Sequence, residues 1–275
     1  MKFAFIMLFA LLSGLVFAGS VPYVNITEPY NTTILQNGSL YLGKVGPGQT
    51  FVVTISALTQ NYSGAVLTRG WNQLKVTGYP QGWLVQNSGL YTAYLSVEVS
   101  AAPNASNGTY ELHFSAINNG NYSKIGAINF IGYINVTPSV FKMNVTPSSI
   151  SGSPGEPTEI SVTINNTGVS DSPFIINVSG LPAEKLSPET VIALHHTVGT
   201  FKYSISEDTP GIYSPVVSVH SLESALVKSS KTLRYTVRPS LLNDYYALGQ
   251  GSPIFPVLYE PAYVLMYLIS LLSKI

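Results

Sequence analysis

The residues best placed to carry chemistry are asparagines. Eleven of the eighteen open an Asn-x-Ser/Thr triplet with no proline in the middle: Asn25, Asn31, Asn37, Asn61, Asn104, Asn107, Asn121, Asn135, Asn144, Asn165 and Asn177. In an exported chain that triplet is the acceptor for an N-linked glycan. With Ser and Thr at roughly a fifth of the residues, chance gives only about three or four such triplets. On alternating strands Asn144, Asn165 and Asn177 fall at outward positions, while Met143, Ile164 and Ile176 point inward. No triplet follows Asn177. The competing explanation is that Asn, Ser and Thr simply abound in turns.

Catalytic candidates are sparse. His195 and His196 are adjacent, so a strand would send them to opposite faces and one metal could not take both. His113 and His220 occupy comparable outward positions with no carboxylate cluster nearby in sequence. Glu184, Glu189, Glu207 and Asp208 follow no calcium-loop spacing. There is no nucleophile elbow, phosphate loop or His-Glu-x-x-His run. Trp71, Trp83 and Tyr79 offer an aromatic platform for a sugar, although Trp83 better suits a core or a loop. The expectation is a non-enzymatic chain without cofactor or metal.

Such residues need a scaffold, and composition bounds it. Charged residues make up 9% of the chain, against about a quarter in ordinary soluble domains. The 13 basic and 13 acidic side chains cancel, so no global field draws nucleic acid. At 45% hydrophobic, with 18 tyrosines, the chain can bury a sizeable core. Cysteine is absent, which removes disulfides and thiolate sites together. A surface so poor in ions must be wetted by neutral polar groups or by attached sugar. Alternatively, few carboxylates suit an acidic habitat, because little charge changes on protonation.

Both ends are apolar. Residues 1–18 have Lys2 before the run Phe3 to Leu12 and the small exit residue Ala18, the layout of a signal peptide. Residues 240–275 read as a linker and a hydrophobic helix starting at Pro261. From Pro261 to Ile275 that helix spans roughly 22 Å, short of the ~30 Å hydrocarbon core. Glu260, Tyr263, Tyr267, Ser270 and Lys274 fall along one of its stripes. The stripe suits a membrane anchor with interfacial tyrosines, or a docking face for a partner.

Between the ends the pattern is β throughout. Phe51, Val53, Ile55 and Ala57 alternate, as do Ile160, Val162 and Ile164. Tyr110, Leu112, Phe114 and Ala116 alternate with Glu111, His113 and Ser115 on the opposite face. The features repeat: Gly46-Pro47-Gly48-Gln49 with Ser153-Pro154-Gly155-Glu156, Gly78-Tyr79-Pro80 with Gly180-Leu181-Pro182, and Gly108-Thr109-Tyr110 with Gly211-Ile212-Tyr213. The spacing, just over 100 residues, is one sandwich domain. Tyr110 and Tyr213 are candidates for the tyrosine corner of immunoglobulin-like sandwiches, or for two ordinary core tyrosines.

The run SPGEPTEISVTINNTG, then VSGLP and DTPGIYSPVVSV, resembles immunoglobulin-like repeats of archaeal and bacterial exported proteins, of the cell-adhesion-related and alpha-galactosidase-associated types. Residues 40–238 carry the resemblance. It implies a fold and no catalytic residue. The expected organisation is a signal peptide (1–18), two immunoglobulin-like β-sandwiches (19–138 and 139–239) standing end to end, and an anchor segment (240–275). The expected role is a membrane-anchored, N-glycosylated cell-surface protein of the envelope, associated with a surface layer or serving as a spacer or adhesive module. Its partners are the membrane, its glycans, and other envelope proteins or further copies. Two alternatives are an accessory subunit of a membrane complex, docked through the tail stripe, and a filament subunit whose segment Val21 to Leu42 enters a neighbour's sheet.

Overall fold

The computed structural model describes residues 23–60, 66–67, 70–118, 126–182 and 188–238. The expected signal peptide and tail helix, including Glu260, Tyr263, Tyr267, Ser270 and Lys274, lie outside the described residues, as do Asn61 and Asn121. All regular structure among the described residues is β-strand.

In chain order the first strands are β1 (Val24–Glu28), β2 (Thr32–Ile34), β3 (Ser39–Val45), β4 (Thr50–Ser56), β5 (Thr59–Gln60) and β6 (Val66–Leu67). There follow β7 (Gln73–Gly78), β8 (Leu84–Gln86), β9 (Tyr94–Ser100), β10 (Gly108–Ile117) and β11 (Ala127–Val136). They form one sheet in the order β2-β1-β4-β9-β8 and a second in the order β3-β11-β10-β7. β3 runs parallel to β11. With β1, β4, β9 and β8 as strands A, B, E and D, and β7, β10 and β11 as C, F and G, this is the immunoglobulin arrangement.

The remainder comprises β12 (Phe141–Thr146), β13 (Ser149–Gly152), β14 (Thr158–Asn166), β15 (Ser172–Ser179) and β16 (Glu189–Ala193). After these come β17 (Val198–Ile205), β18 (Gly211–Tyr213), β19 (Val216–Ser221), β20 (Lys228–Thr232) and β21 (Arg234–Val237). Here the sheets are β12-β14-β17, β16-β15-β19-β20 and β13-β21-β18. Strands A, B and E recur, but the fourth strand changes sides. β8 pairs with β9 in the first sandwich, whereas β16 pairs with β15 in the second.

Alternation builds both cores. Phe51, Val53, Ile55 and Ala57 are buried in the first, and Ile160, Val162 and Ile164 in the second. One outward assignment fails: Ser115 is buried, at a point where β10 is flanked on both sides, by Lys75 of β7 and Asn129 of β11. The segment proposed to enter a neighbour's sheet is already used at home. Within residues 23–42, β1 pairs with β2 and β4, and β3 pairs with β11.

Both tyrosine corners are present. The Tyr110 hydroxyl donates to Ser106 O at 2.9 Å and the Tyr213 hydroxyl to Thr209 O at 2.7 Å, each four residues back. They tie the start of strand F to the loop before it.

One core cluster takes residues from Val24 to Val136, and another takes residues from Val140 to Val237. Val169 crosses this division. It lies in the loop after β14 yet is buried in the first cluster. Its N–H bonds Lys44 O at 2.9 Å. The space it fills is opened by Gly43, which sits at a register shift in β3 with φ of +128°; a Cβ there would overlap Val169 Cγ1. Replacing Val169 by Ala should cost about 2 kcal/mol of stability, and Gly43→Ala a similar or larger amount through overlap and backbone strain. Urea unfolding midpoints measure both, and unchanged midpoints would contradict the interlock.

Candidate modification surface and interdomain cleft

Nine of the triplet asparagines lie among the described residues, and none is buried. Asn31, Asn37, Asn104, Asn107 and Asn144 are exposed; Asn25, Asn135, Asn165 and Asn177 are half-buried. Asn104 and Asn107 sit in the loop before β10, and Asn31 and Asn37 flank β2. The other five are on strands, their side chains alternating with buried neighbours such as Val24, Ile134, Ile164 and Ile176.

The buried asparagines, Asn72 and Asn166, open no triplet. The amide of Asn166 is consumed by structure: Nδ2 donates to Ser170 O at 2.8 Å and Ala193 O at 2.9 Å, and Oδ1 accepts from Gly168 N. Asn118, also outside any triplet, donates its Nδ2 to Gly70 O. Asn87, likewise outside any triplet, accepts at Oδ1 from Val76 N at 2.8 Å, and two triplet asparagines do the same with other donors. Asn144 and Asn37 accept at Oδ1, from Lys231 Nζ at 3.0 Å and Gln36 Nε2 at 3.3 Å. In neither residue does Nδ2, the atom a glycan replaces a hydrogen on, take part in those bonds.

The histidines need a correction. His195 and His196 occupy the turn between β16 and β17, with His196 at φ +54°, so strand alternation does not separate them. Their rings meet edge to face, with centroids 5.7 Å apart. A carboxylate is also close. Asp171 Oδ1 lies 2.6 Å from both the His195 backbone N and Nδ1. With its proton on Nδ1 the imidazole donates to Asp171, so the pair pins this turn to the loop that carries Val169. Twenty-four residues separate the two in sequence, and only the fold brings them together. His113 is exposed, 4.0 Å from Glu111, and His220 is half-buried on β19.

The proposed aromatic platform is also overturned. Trp71 and Trp83 are both buried, and Trp83 packs on Tyr110 with centroids 5.4 Å apart. Large indoles are worth more inside a sandwich than on its rim. Tyr79 alone of the three is exposed.

Where the sandwiches meet, the Gly46-Pro47-Gly48-Gln49 turn is a socket as well as a strand lead-in. Gln49 is buried and nearly saturated. Its Oε1 accepts from Gly46 N at 2.8 Å, and its Nε2 donates to Ser172 Oγ at 2.6 Å and Ser221 Oγ at 3.4 Å. A Cβ on Gly46 would overlap Val227, and one on Gly48 would come within 2.8 Å of Glu223 O. Beside this seam is a cleft of about 270 Å³ whose walls include Glu28 and Glu98 of the first sandwich and Asp171, His195 and Glu223 of the second. Burial raises the Glu223 carboxyl above its ordinary range, against the opposing hydrogen bonds from Ser172, Thr50 and Ser170. Among the described residues no group of three or more His, Asp or Glu side chains is arranged to hold a metal.

No protein-family model matches the chain, and no curated protein matches it. Solved structures do. A chimeric titin Z1Z2 carrying a decorin peptide is 12% identical with a TM-score of 0.36, over 80% of this chain and 100% of that one. The Yersinia pseudotuberculosis adhesin InvE is 9% identical with a TM-score of 0.27, over 78% of this chain and 58% of its own. A PapD-like domain of human CEP192 is 16% identical with a TM-score of 0.27, over 38% and 88%. These similarities assign no function. The immunoglobulin-like character of the two sandwiches rests on their strand order.

Two measurements test the seam. Gln49→Ala strands Gly46 N–H and removes one donor from Ser172 and Ser221, which keep Ser170 and Glu223 as partners; it should cost about 1–3 kcal/mol, read as a lower unfolding midpoint. The raised Glu223 carboxyl favours the folded state when protonated. Its contribution is therefore complete below the unfolded value of about 4.3 and lost as pH rises through the higher folded one. Glu223→Gln should accordingly match wild type in acid and gain on it toward neutral pH. An advantage that grew in acid would contradict this.

Proposed function

We propose that this chain is a non-enzymatic, exported surface glycoprotein of a prokaryotic cell envelope. In this reading the two interlocked sandwiches hold a coat of N-linked glycans outside the membrane, and the apolar C-terminal segment fixes them to it. One observation carries the proposal. Every triplet asparagine among the described residues is exposed or half-buried, whereas the buried asparagines, Asn72 and Asn166, open no triplet. Turn-rich composition alone supplies no reason for that division, because it treats every asparagine alike.

Two further features support it. A chain with 9% charged residues gains from sugars the hydration that ions supply elsewhere. The interlock at Val169, Gln49 and Gly46 fixes one sandwich on the other, which suits a spacer. The resemblance to exported adhesion-type repeats points to a surface-layer-associated role of archaeal or bacterial kind.

Mass spectrometry of native protein, compared between membrane and culture fractions, tests the reading. The expected result is glycan mass on several of Asn31, Asn104, Asn107 and Asn144, none on Asn72 or Asn166, a mature start at Gly19, and residues 254–275 retained in the membrane fraction. Unmodified asparagines in a cytosolic protein would overturn it.

A further inference from the structure

The two ends of the first sandwich differ. Thr50, paired with Ser100, lies at the seam; Ser56, paired with Tyr94, lies at the opposite, free end. At that free end is a concavity of about 350 Å³ whose walls include Ser56, Leu58, Tyr91, Thr92 and Tyr94. Its size falls within the range of small-molecule sites, roughly 300–1,000 Å³. Among the described residues no ionisable acid or base other than the two phenols lines it.

The aromatic side chains here are displayed, not packed. Tyr91 is 57% exposed and Tyr94 is 64% exposed. Tyr91 also holds φ at +61°, a region that bulky L-residues seldom occupy and that is a pointer to function when nothing local repays it. Packing does not repay it, since the ring faces solvent. Hydrogen bonds hold the backbone in place instead. Tyr91 N–H bonds Asn72 O at 3.0 Å, Ala57 N–H bonds Ala93 O at 3.2 Å, and the Thr92 hydroxyl donates to Tyr94 O at 2.6 Å. The first of these anchors Tyr91 to a buried residue next to the buried Trp71. The backbone that carries the rings is thus held before any ligand arrives, which lowers the entropic cost of binding.

The geometry points to a binding site for a neutral saccharide at this free end, with Tyr91 and Tyr94 as the faces against which a sugar ring lies. Aromatic faces take the C–H side of a pyranose, while phenol, Ser56 and Thr92 hydroxyls offer both donors and acceptors to its hydroxyls. A charged sugar would find no counter-ion among the described wall residues. An apolar peptide would leave the hydroxyls unmatched, at a desolvation cost. The site stands on the first sandwich alone and requires neither glycosylation nor anchoring of this chain.

The test uses the full chain, enzymatically deglycosylated and held in a detergent without a sugar head group. It is titrated with maltotriose, cellotriose, mannotriose and chitotriose, and binding is followed by saturation-transfer NMR and calorimetry. At least one should bind with a Kd of about 1 mM or tighter. Tyr91→Gly keeps the backbone, because glycine accepts positive φ, and removes one ring; Tyr94→Ala removes the other. Each should weaken binding about tenfold, the loss expected for one aromatic contact, with the melting temperature unchanged. Leu90→Ala, an exposed neighbour outside the described walls, should bind as wild type. No binding of any of the four at about 10 mM, wild-type affinity in both tyrosine variants, or selective binding of a uronate trisaccharide or an apolar peptide would overturn the proposal.

Discussion

The arrangement of the molecule depends on one contact, a valine from the second sandwich set into the core of the first. Val169 has no room unless Gly43 lacks a side chain, and Gly43 takes its backbone angle because β3 slips register against β11 at that point. The bulge, the glycine and the valine therefore form one device. Around it, Gln49 donates Nε2 across the boundary to Ser172 and Ser221, while its Oε1 accepts from Gly46 N in its own sandwich. Apolar insertion supplies stability there. Direction comes from the amide, because a buried polar group is costly in every arrangement that leaves it unmatched.

Interlocking at one end leaves the other surfaces to different tasks. The seam gathers the carboxylates Glu28, Glu98, Asp171 and Glu223 around a cleft, while much of the remaining surface is neutral hydroxyl and amide. That division matters for solvation. An uncharged β surface invites edge pairing and association; glycans on the outward asparagines, as proposed, would oppose both without adding a field. Lys202 paired with Glu159 at 3.0 Å on the β14–β17 face shows the more ordinary device, used sparingly.

The two repeats show how a shared plan absorbs local difference. Both keep strands A, B and E, a parallel pairing between β3 and β11 or β13 and β21, and a tyrosine corner. They part at the fourth strand, β8 against β9 in one and β16 against β15 in the other. Short edge strands have few ladder bonds to lose, so connecting-loop length and side-chain burial decide which sheet they join.

Much of this was legible in the residues. Strict alternation at Phe51 to Ala57 and Ile160 to Ile164, glycine and proline turns, and a repeat just over 100 residues long fixed strand faces and class, since period-two burial is a local property. The outward asparagines were legible for the same reason. The aromatic reading was not: Trp71 and Trp83 carry no local mark of burial, and the displayed rings are those of Tyr91 and Tyr94, whose exposure depends on how a loop backbone is held. Nor does any periodicity announce that Asp171 meets His195, that Gly46 and Gln49 form a socket, or that Val169 leaves its own domain. Those facts join residues distant along the chain, and such pairings exist only once two separately folded sheets have been brought together in space.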